Sequence, residues 1–233
     1  MAREFDEVDD YITHNATNFG SDTVGTIMLW ANIDEFDDDF MMASIDNDTN
    51  SSQDEIFFFY FRGDNDNRMQ VVWRNTADDV SIRTNVNEIT AVGWHTITLT
   101  SDATTIKYFT DAVESTLNIV SGSNNGQWFN TATTSDIFRT GALLRGGSGL
   151  SPYDGKIAHA VIWDVELSAN EKGALFRGVN PFAIRHSSQK LHWALNGNDS
   201  PEGDYNAQTN QGTLTGTTKA TTNPPVELLG NYL

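Results

Sequence analysis

The 233-residue sequence has no cysteine, so neither a disulfide framework nor a thiolate metal site is open to it. Cationic residues are scarce: 14 Lys and Arg stand against 32 Asp and Glu, a formal net charge of −18. The imbalance is uneven, because residues 1–66 hold 17 acids against Arg3 and Arg62, a balance of −15. Such a surface repels a phosphate backbone and argues against nucleic-acid binding. No stretch approaches the ~18 consecutive apolar residues of a membrane span. The opening "MAREFDEVDD" also lacks the apolar core of a signal peptide. The expectation is a soluble chain made in a cytoplasm, with no membrane insertion. His14, His95, His159, His186 and His192 show no HxH or HExxH spacing, so zinc has nothing to rest on. No G-x-S-x-G elbow and no phosphate-cradling loop occurs, and the glycine-rich "LLRGGSGLS" (143–151) lies between two strand patterns.

What is present reads as strand after strand. "VGTIMLWANI" (24–33), "EIFFFYFR" (55–62), "RMQVVWR" (68–74), "DVSIRT" (79–84), "GWHTITLTS" (93–101), "TTIKYFTD" (104–111) and "GKIAHAVIWDVEL" (155–167) are rich in Val, Ile, Thr and aromatics. Asp, Asn, Gly and Ser punctuate them. This spacing predicts an all-β, two-sheet antiparallel jelly-roll sandwich, large enough to bury about 70–75% of its unfolded surface. One segment breaks the pattern: "LSANEKGALFRG" (167–178) offers Ser168 and Glu171 as a capping box and Gly178 as a stop, so a short helix is predicted. Leu175 and Phe176 would face the sandwich. Trp30, Trp73, Trp94, Trp163 and Trp193 fall on apolar strand patterns and are assigned to the core. Residues 1–196 are read as the jelly-roll domain. Residues 197–233, rich in Gly, Asn and Thr, are read as an extended C-terminal arm that runs over the sandwich or over a neighbouring subunit.

Four blocks resemble the laminin-G-like, concanavalin A-like lectin/glucanase jelly rolls. "FDEVDDYITH" is similar to their opening FDGxDDYV, and "TVGTIMLWANI" to their second strand. "VGWHTITLTSDATTIKYFTDAV" is similar to the W-H … Y-x-D-G hairpin, with Trp94, His95, Tyr108 and Asp111 in register. "YDGKIAHAVIWDVELSANEKGALF" is similar to the closing strand and helix. Glu7 and Ala112 stand where those families place turn glycines. The tail, with its S-P-E-x-D and G-T-L-T-G-T-T runs, resembles the endings of laminin-G-like modules in tailed-phage structural proteins. That resemblance implies a non-enzymatic virion structural or decoration protein. It would bind capsid or fibre subunits, as a homo-oligomer, and host-surface glycans. The alternatives are a free carbohydrate-binding module and a β-glucanase-like hydrolase.

The hydrolase reading rests on "EFDEVDDYI" (4–12), where Glu4 and Asp6 have the i, i+2 spacing that puts two carboxylates on one face of a strand. A plain first strand accounts for the same residues, with Phe5, Val8 and Ile12 inward and the acids in a turn. For glycans, Trp128 with Asn124, Asn125 and Gln127 forms one candidate platform, and Tyr153 adds to it, against the plainer reading that Trp128 anchors its long loop onto the sheet. For calcium, the oxygen-rich loops "DNDTNSSQDE" and "GDNDNR" nominate Asp46 and Asp48 with Asp64 or Asp66, against the plainer reading of solvated acidic loops. For assembly, Leu228, Leu229, Tyr232 and Leu233 give an otherwise polar tail an apolar end.

Overall fold

The computed structural model describes the chain except residues 17–18, 37–38, 47–55, 64–65, 76–78, 132–136, 146–147, 151, 198–199, 207–209 and 225–233. The strands run β1 (Arg3–Asp6), β2 (Tyr11–Asn15), β3 (Gly25–Ile33), β4 (Asp39–Asp46), β5 (Ile56–Arg62), β6 (Arg68–Arg74) and β7 (Asp79–Thr84). There follow β8 (Gly93–Ser101), β9 (Ile106–Thr110), β10 (Val113–Glu114), β11 (Leu117–Ser121), β12 (Ile137–Thr140), β13 (Leu143–Arg145) and β14 (Ser148–Leu150). The last are β15 (Asp154–Trp163), β16 (Gln189–Trp193), β17 (Thr213–Thr215) and β18 (Thr218–Lys219), with the helix α1 (Ala169–Phe176) between β15 and β16.

Two eight-stranded antiparallel sheets face each other. The first runs β10-β9-β8-β3-β15-β1-β18, with β16 also paired to β15, and the second runs β11-β7-β6-β5-β4-β12-β2-β17. Their inner faces enclose one apolar core that includes Phe5, Ile12, Phe57, Phe59, Phe61, Trp73, Trp128, Phe138 and Trp193. Each such side chain contributes about 1.5–3 kcal/mol of transfer free energy. A second, smaller cluster lies on the outer face of the first sheet. There Met28, Trp30, Val161 and Trp163 meet Leu167, Leu175 and Ala220. β3 is therefore buried on both faces, which explains the continuous apolar run Ile27–Ala31 at its centre.

The helix forms where the capping residues place it. Ser168 Oγ accepts from the Glu171 N–H at 3.4 Å, and Glu171 Oε2 accepts from the Ser168 N–H at 2.8 Å. Leu175 is buried as expected, but Phe176 turns outward, because a helix this short can present only one narrow stripe to the sheet. Val8 is another correction: it is 76% exposed, since it sits at the tip of the β1–β2 turn rather than on a strand.

The described part of the C-terminal segment belongs to the sandwich, so the boundary drawn at 196 does not separate two bodies. β17 pairs with β2 and β18 pairs with β1. Between them the chain crosses from one sheet to the other through Gly216, at φ +69°, where a Cβ would sit 1.7 Å from Asp10 Oδ1. Glu202 is fully buried and accepts from Arg3 Nε at 2.9 Å. Asp204 accepts from the His192 N–H at 3.0 Å, and Trp193 Nε1 donates to the Asn210 carbonyl at 2.7 Å. Leu228, Leu229, Tyr232 and Leu233 lie outside the described residues.

Candidate functional site

The residues nominated from sequence are not brought together. Trp128 is fully buried; its ring stacks on Phe129 at 4.8 Å and lies 6.0 Å from Phe57. It anchors the 122–130 loop into the core and offers no platform to solvent. Tyr153 is also buried, donating to the Asn32 carbonyl at 2.5 Å and meeting Phe5 edge-on at 5.8 Å. Asn124 completes the edge of β9, accepting from the Ile106 N–H at 2.7 Å and donating to the Ile106 carbonyl at 3.0 Å. Gln127 closes its own loop, accepting from the Asn125 N–H at 3.2 Å and donating to the Ser123 carbonyl at 3.3 Å.

The calcium nominees fare similarly. Asp46 is buried and its carboxylate is engaged by Arg139, while Asp66 pairs with Arg68 at 2.8 Å. Asp48 and Asp64 lie outside the described residues. Carboxylates do converge elsewhere, around the β1–β2 turn. The ligand atoms of Asp6, Asp9 and Asp10 lie within 4.8 Å of one another, as do those of Glu7, Glu35 and Asp154. All are hard oxygen donors, a chemistry that suits calcium. Burial first, and Asp6 second, push the Asp10 carboxyl up to about 6, and burial followed by Asp34 raises Asp154. Within the turn, Asp10 accepts from the Asp6 N–H at 3.0 Å and Asp6 accepts from the Val8 N–H at 3.1 Å. Glu4, the other half of the glycosidase pattern, lies 3.9 Å from Lys156.

The concave surface lies across the first sheet from that turn. A cleft of about 400 Å³ opens between β9, β10 and the start of α1, lined by Lys107, Phe109, Glu114, Glu166, Lys172 and Arg185 among others. A second of about 430 Å³ adjoins it through Lys107 and Glu114 and is bordered by Thr105, Ser115 and Asn124. Asn124 is thus the one sequence-nominated glycan residue that lines either cleft. Lys107 Nζ meets Glu166 at 2.9 Å, a bond that raises the Lys107 ammonium above its ordinary value. Lys172 donates to the Leu167 carbonyl at 2.9 Å and lies 3.6 Å from the Phe109 ring centroid, while burial lowers its ammonium. Arg185 donates to Glu171 at 2.6 Å. These groups come from β9, β10, the β15–α1 link, α1 and the 185–188 turn. No local sequence pattern unites them.

The cleft gathers charged side chains of both signs beside Phe109 and Leu167. It supplies fixed donors and acceptors of both signs over an apolar floor, the means by which a site orients a polar ligand. His95, which lines neither cleft, has both ring nitrogens occupied: Nδ1 meets Asp111 Oδ2 at 2.9 Å and Nε2 meets the Ala91 carbonyl at 3.0 Å.

Solved structures of similar fold include a carbohydrate-binding module and sialidases. The CBM40 module of a Ruminococcus gnavus IT-sialidase, bound to α2,6 sialyllactose, is 18% identical over 76% of this chain and 98% of its own, with a TM-score of 0.60. A candidate carbohydrate binding protein from Bacteroides ovatus is 17% identical over 97% of this chain and 61% of its own, with a TM-score of 0.66. A leech intramolecular trans-sialidase is 17% identical over 72% of this chain and 27% of its own, with a TM-score of 0.56. Comparison with curated proteins gives no sequence match. A sequence profile matched over residues 6–171 places this chain in the Laminin_G_3 family of the concanavalin A-like lectin/glucanases superfamily.

Proposed function

We propose that the protein is a non-catalytic, glycan-binding jelly roll that serves as a structural or decoration subunit of a tailed-phage virion. The cleft between β9–β10 and α1 carries the binding half of this reading. It is concave and furnished with charged hydrogen-bonding groups, on a fold whose neighbours include a module bound to sialyllactose. The virion half is supported by the S-P-E-x-D and G-T-L-T-G-T-T runs of the tail. A free carbohydrate-binding module would use the same cleft, and only its location would differ.

The test pairs a glycan array with particle analysis. Wild type should be retained on a subset of glycans, and Glu114→Ala with Lys107→Ala should weaken that retention about tenfold or more while leaving the melting temperature near wild type. The protein should co-purify with assembled particles. Retention that survives both substitutions would remove the cleft from the reading. Absence from particles would leave the free binding module.

A further inference from the structure

We propose that β11 is a self-association edge, through which a second copy of this chain joins by antiparallel strand pairing about a two-fold axis. β11 closes the second sheet and pairs with β7 alone, so among the described residues no strand covers its other side. Leu117 is half-buried and packs toward the core, but Asn118, Ile119, Val120 and Ser121 are all exposed. Ile119 is 56% and Val120 50% exposed, so the strand carries β-branched apolar side chains that the described residues leave half uncovered. Val113 on β10, the edge of the other sheet, is 70% exposed. Two hydrogen bonds tie the 85–92 loop alongside: Asn118 donates to Asn85 at 2.8 Å, and Ser115 donates to Glu88. Val86 and Val92, also exposed, are carried on that loop.

An open edge with uncovered Ile and Val is what soluble β proteins ordinarily guard against with charges, prolines or short strands. Here no charged residue occurs from Ser115 to Ser135. That gap identifies the partner. At a net charge of −18, two copies repel one another over most approaches, and a contact through this edge brings no carboxylate of β11 against another. An antiparallel edge is also self-complementary, since each strand offers the other the same alternating donors and acceptors. The register shift between Ile119 and Ser121 bends the strand there, which centres the pairing on Leu117–Ile119.

Light scattering and sedimentation of the full chain test the proposal, together with amide exchange. Wild type should be dimeric, and the dimer should strengthen as salt screens the repulsion between the two acidic bodies. Ile119→Lys with Val120→Lys should weaken it about tenfold or more at an unchanged melting temperature. Should that pair perturb folding, Ile119→Thr keeps β propensity while removing the apolar contact, and should weaken the dimer in the same direction. In wild type, amide exchange across Leu117–Ser121 should slow as protein concentration rises. A wild type that stays monomeric, a dimer indifferent to these substitutions, or one that dissolves on adding salt would each overturn the proposal.

Discussion

Ala112 and Glu7 hold φ of 65° and 63°, in the left-handed region that costs a residue with a Cβ about 1–2 kcal/mol relative to glycine. The resemblance to laminin-G-like families places glycine at both positions, and the backbone keeps the glycine conformation without the glycine. At the β9–β10 turn the surroundings hold the strained geometry in place. Asp111, also at positive φ, accepts from the Thr96 N–H at 2.9 Å with Oδ1 and from His95 with Oδ2. Two consecutive residues at positive φ between β9 and β10 match the mirror-image hairpin turn, for which Asp-Gly is a preferred pair. Ala112→Gly should therefore stabilise the protein by about 0.5–1 kcal/mol in urea titration, the relief of strain being offset in part by the freer unfolded chain. A destabilisation would mean that the Ala112 methyl makes contacts worth more than its strain. Turn identity was legible here because a fixed backbone conformation leaves a mark on sequence even when one residue departs from it. Side-chain destination was less legible. Trp128 reads either as a loop anchor or as a sugar platform and is an anchor, and Tyr153 too is a core residue, because burial of a loop depends on partners such as Phe57 and Phe5 that are distant in sequence.

Elements governed by local chemistry were predictable, and those governed by distant pairing were not. The α1 capping box spans only four residues, so Ser168 and Glu171 announce it. The strands of the second sheet show themselves through β-branched and aromatic content, as in IFFFYFR and RMQVVWR. β17 and β18 do neither. "TLTGTTK" is polar and short, and its pairing partners, β2 and β1, lie some two hundred residues earlier. The tail motifs acquire a physical meaning from this pairing. Glu202 and Asp204 of S-P-E-x-D are the buried acceptors for Arg3 and for the His192 amide, and G-T-L-T-G-T-T is the crossing that adds an edge strand to each sheet. The segment thereby clamps the two sheets together at their N-terminal ends. Glu202→Ala removes the carboxylate that Arg3 meets inside the fold, and truncating one member of a buried ion pair costs about 3–5 kcal/mol. The expected outcome is a lower melting temperature and faster proteolysis within 197–219, with Glu202→Gln less affected because its amide oxygen still accepts. Equal resistance in wild type and Glu202→Ala would show that strand pairing alone holds the clamp.

At the scale of the whole molecule, two opposed sets of titrating groups decide how stability depends on pH. His159 and His192 are buried on adjacent strands, with Nδ1 of the first 3.2 Å from Nε2 of the second. Burial, then His192, depress His159 well below the ordinary imidazole range. Burial, then His186, lower His192 to about 3. Both are neutral in the fold and titrate near 6.5 when unfolded, so their contribution is complete above that value and is lost as the pH falls below it. Each imidazole then subtracts up to about 1.4 kcal/mol per pH unit. Asp10, raised to about 6, acts in the opposite sense: the fold favours its protonated form, so acidification strengthens this contribution. Neutralising part of the −18 charge also relieves self-repulsion on the acid side. His95, raised by Asp111 against the effect of burial, adds stability that is full below its unfolded value and lost as pH rises through its folded one. A wild-type profile alone would mix these effects. The difference between wild type and the His159→Gln/His192→Gln variant isolates the pair, because the carboxylates, His95 and the net acidic charge are common to both. Measured by urea unfolding from pH 8 down to about 5, above the sequence pI of 4.3, that difference should be flat at the alkaline end. Below about pH 6 the variant should gain on wild type by roughly 2–3 kcal/mol per pH unit. A difference independent of pH would mean that the pair takes up protons in the folded state as readily as in the unfolded chain. The outer face of the first sheet, where residues 202–206 cover His192, would then be open to water.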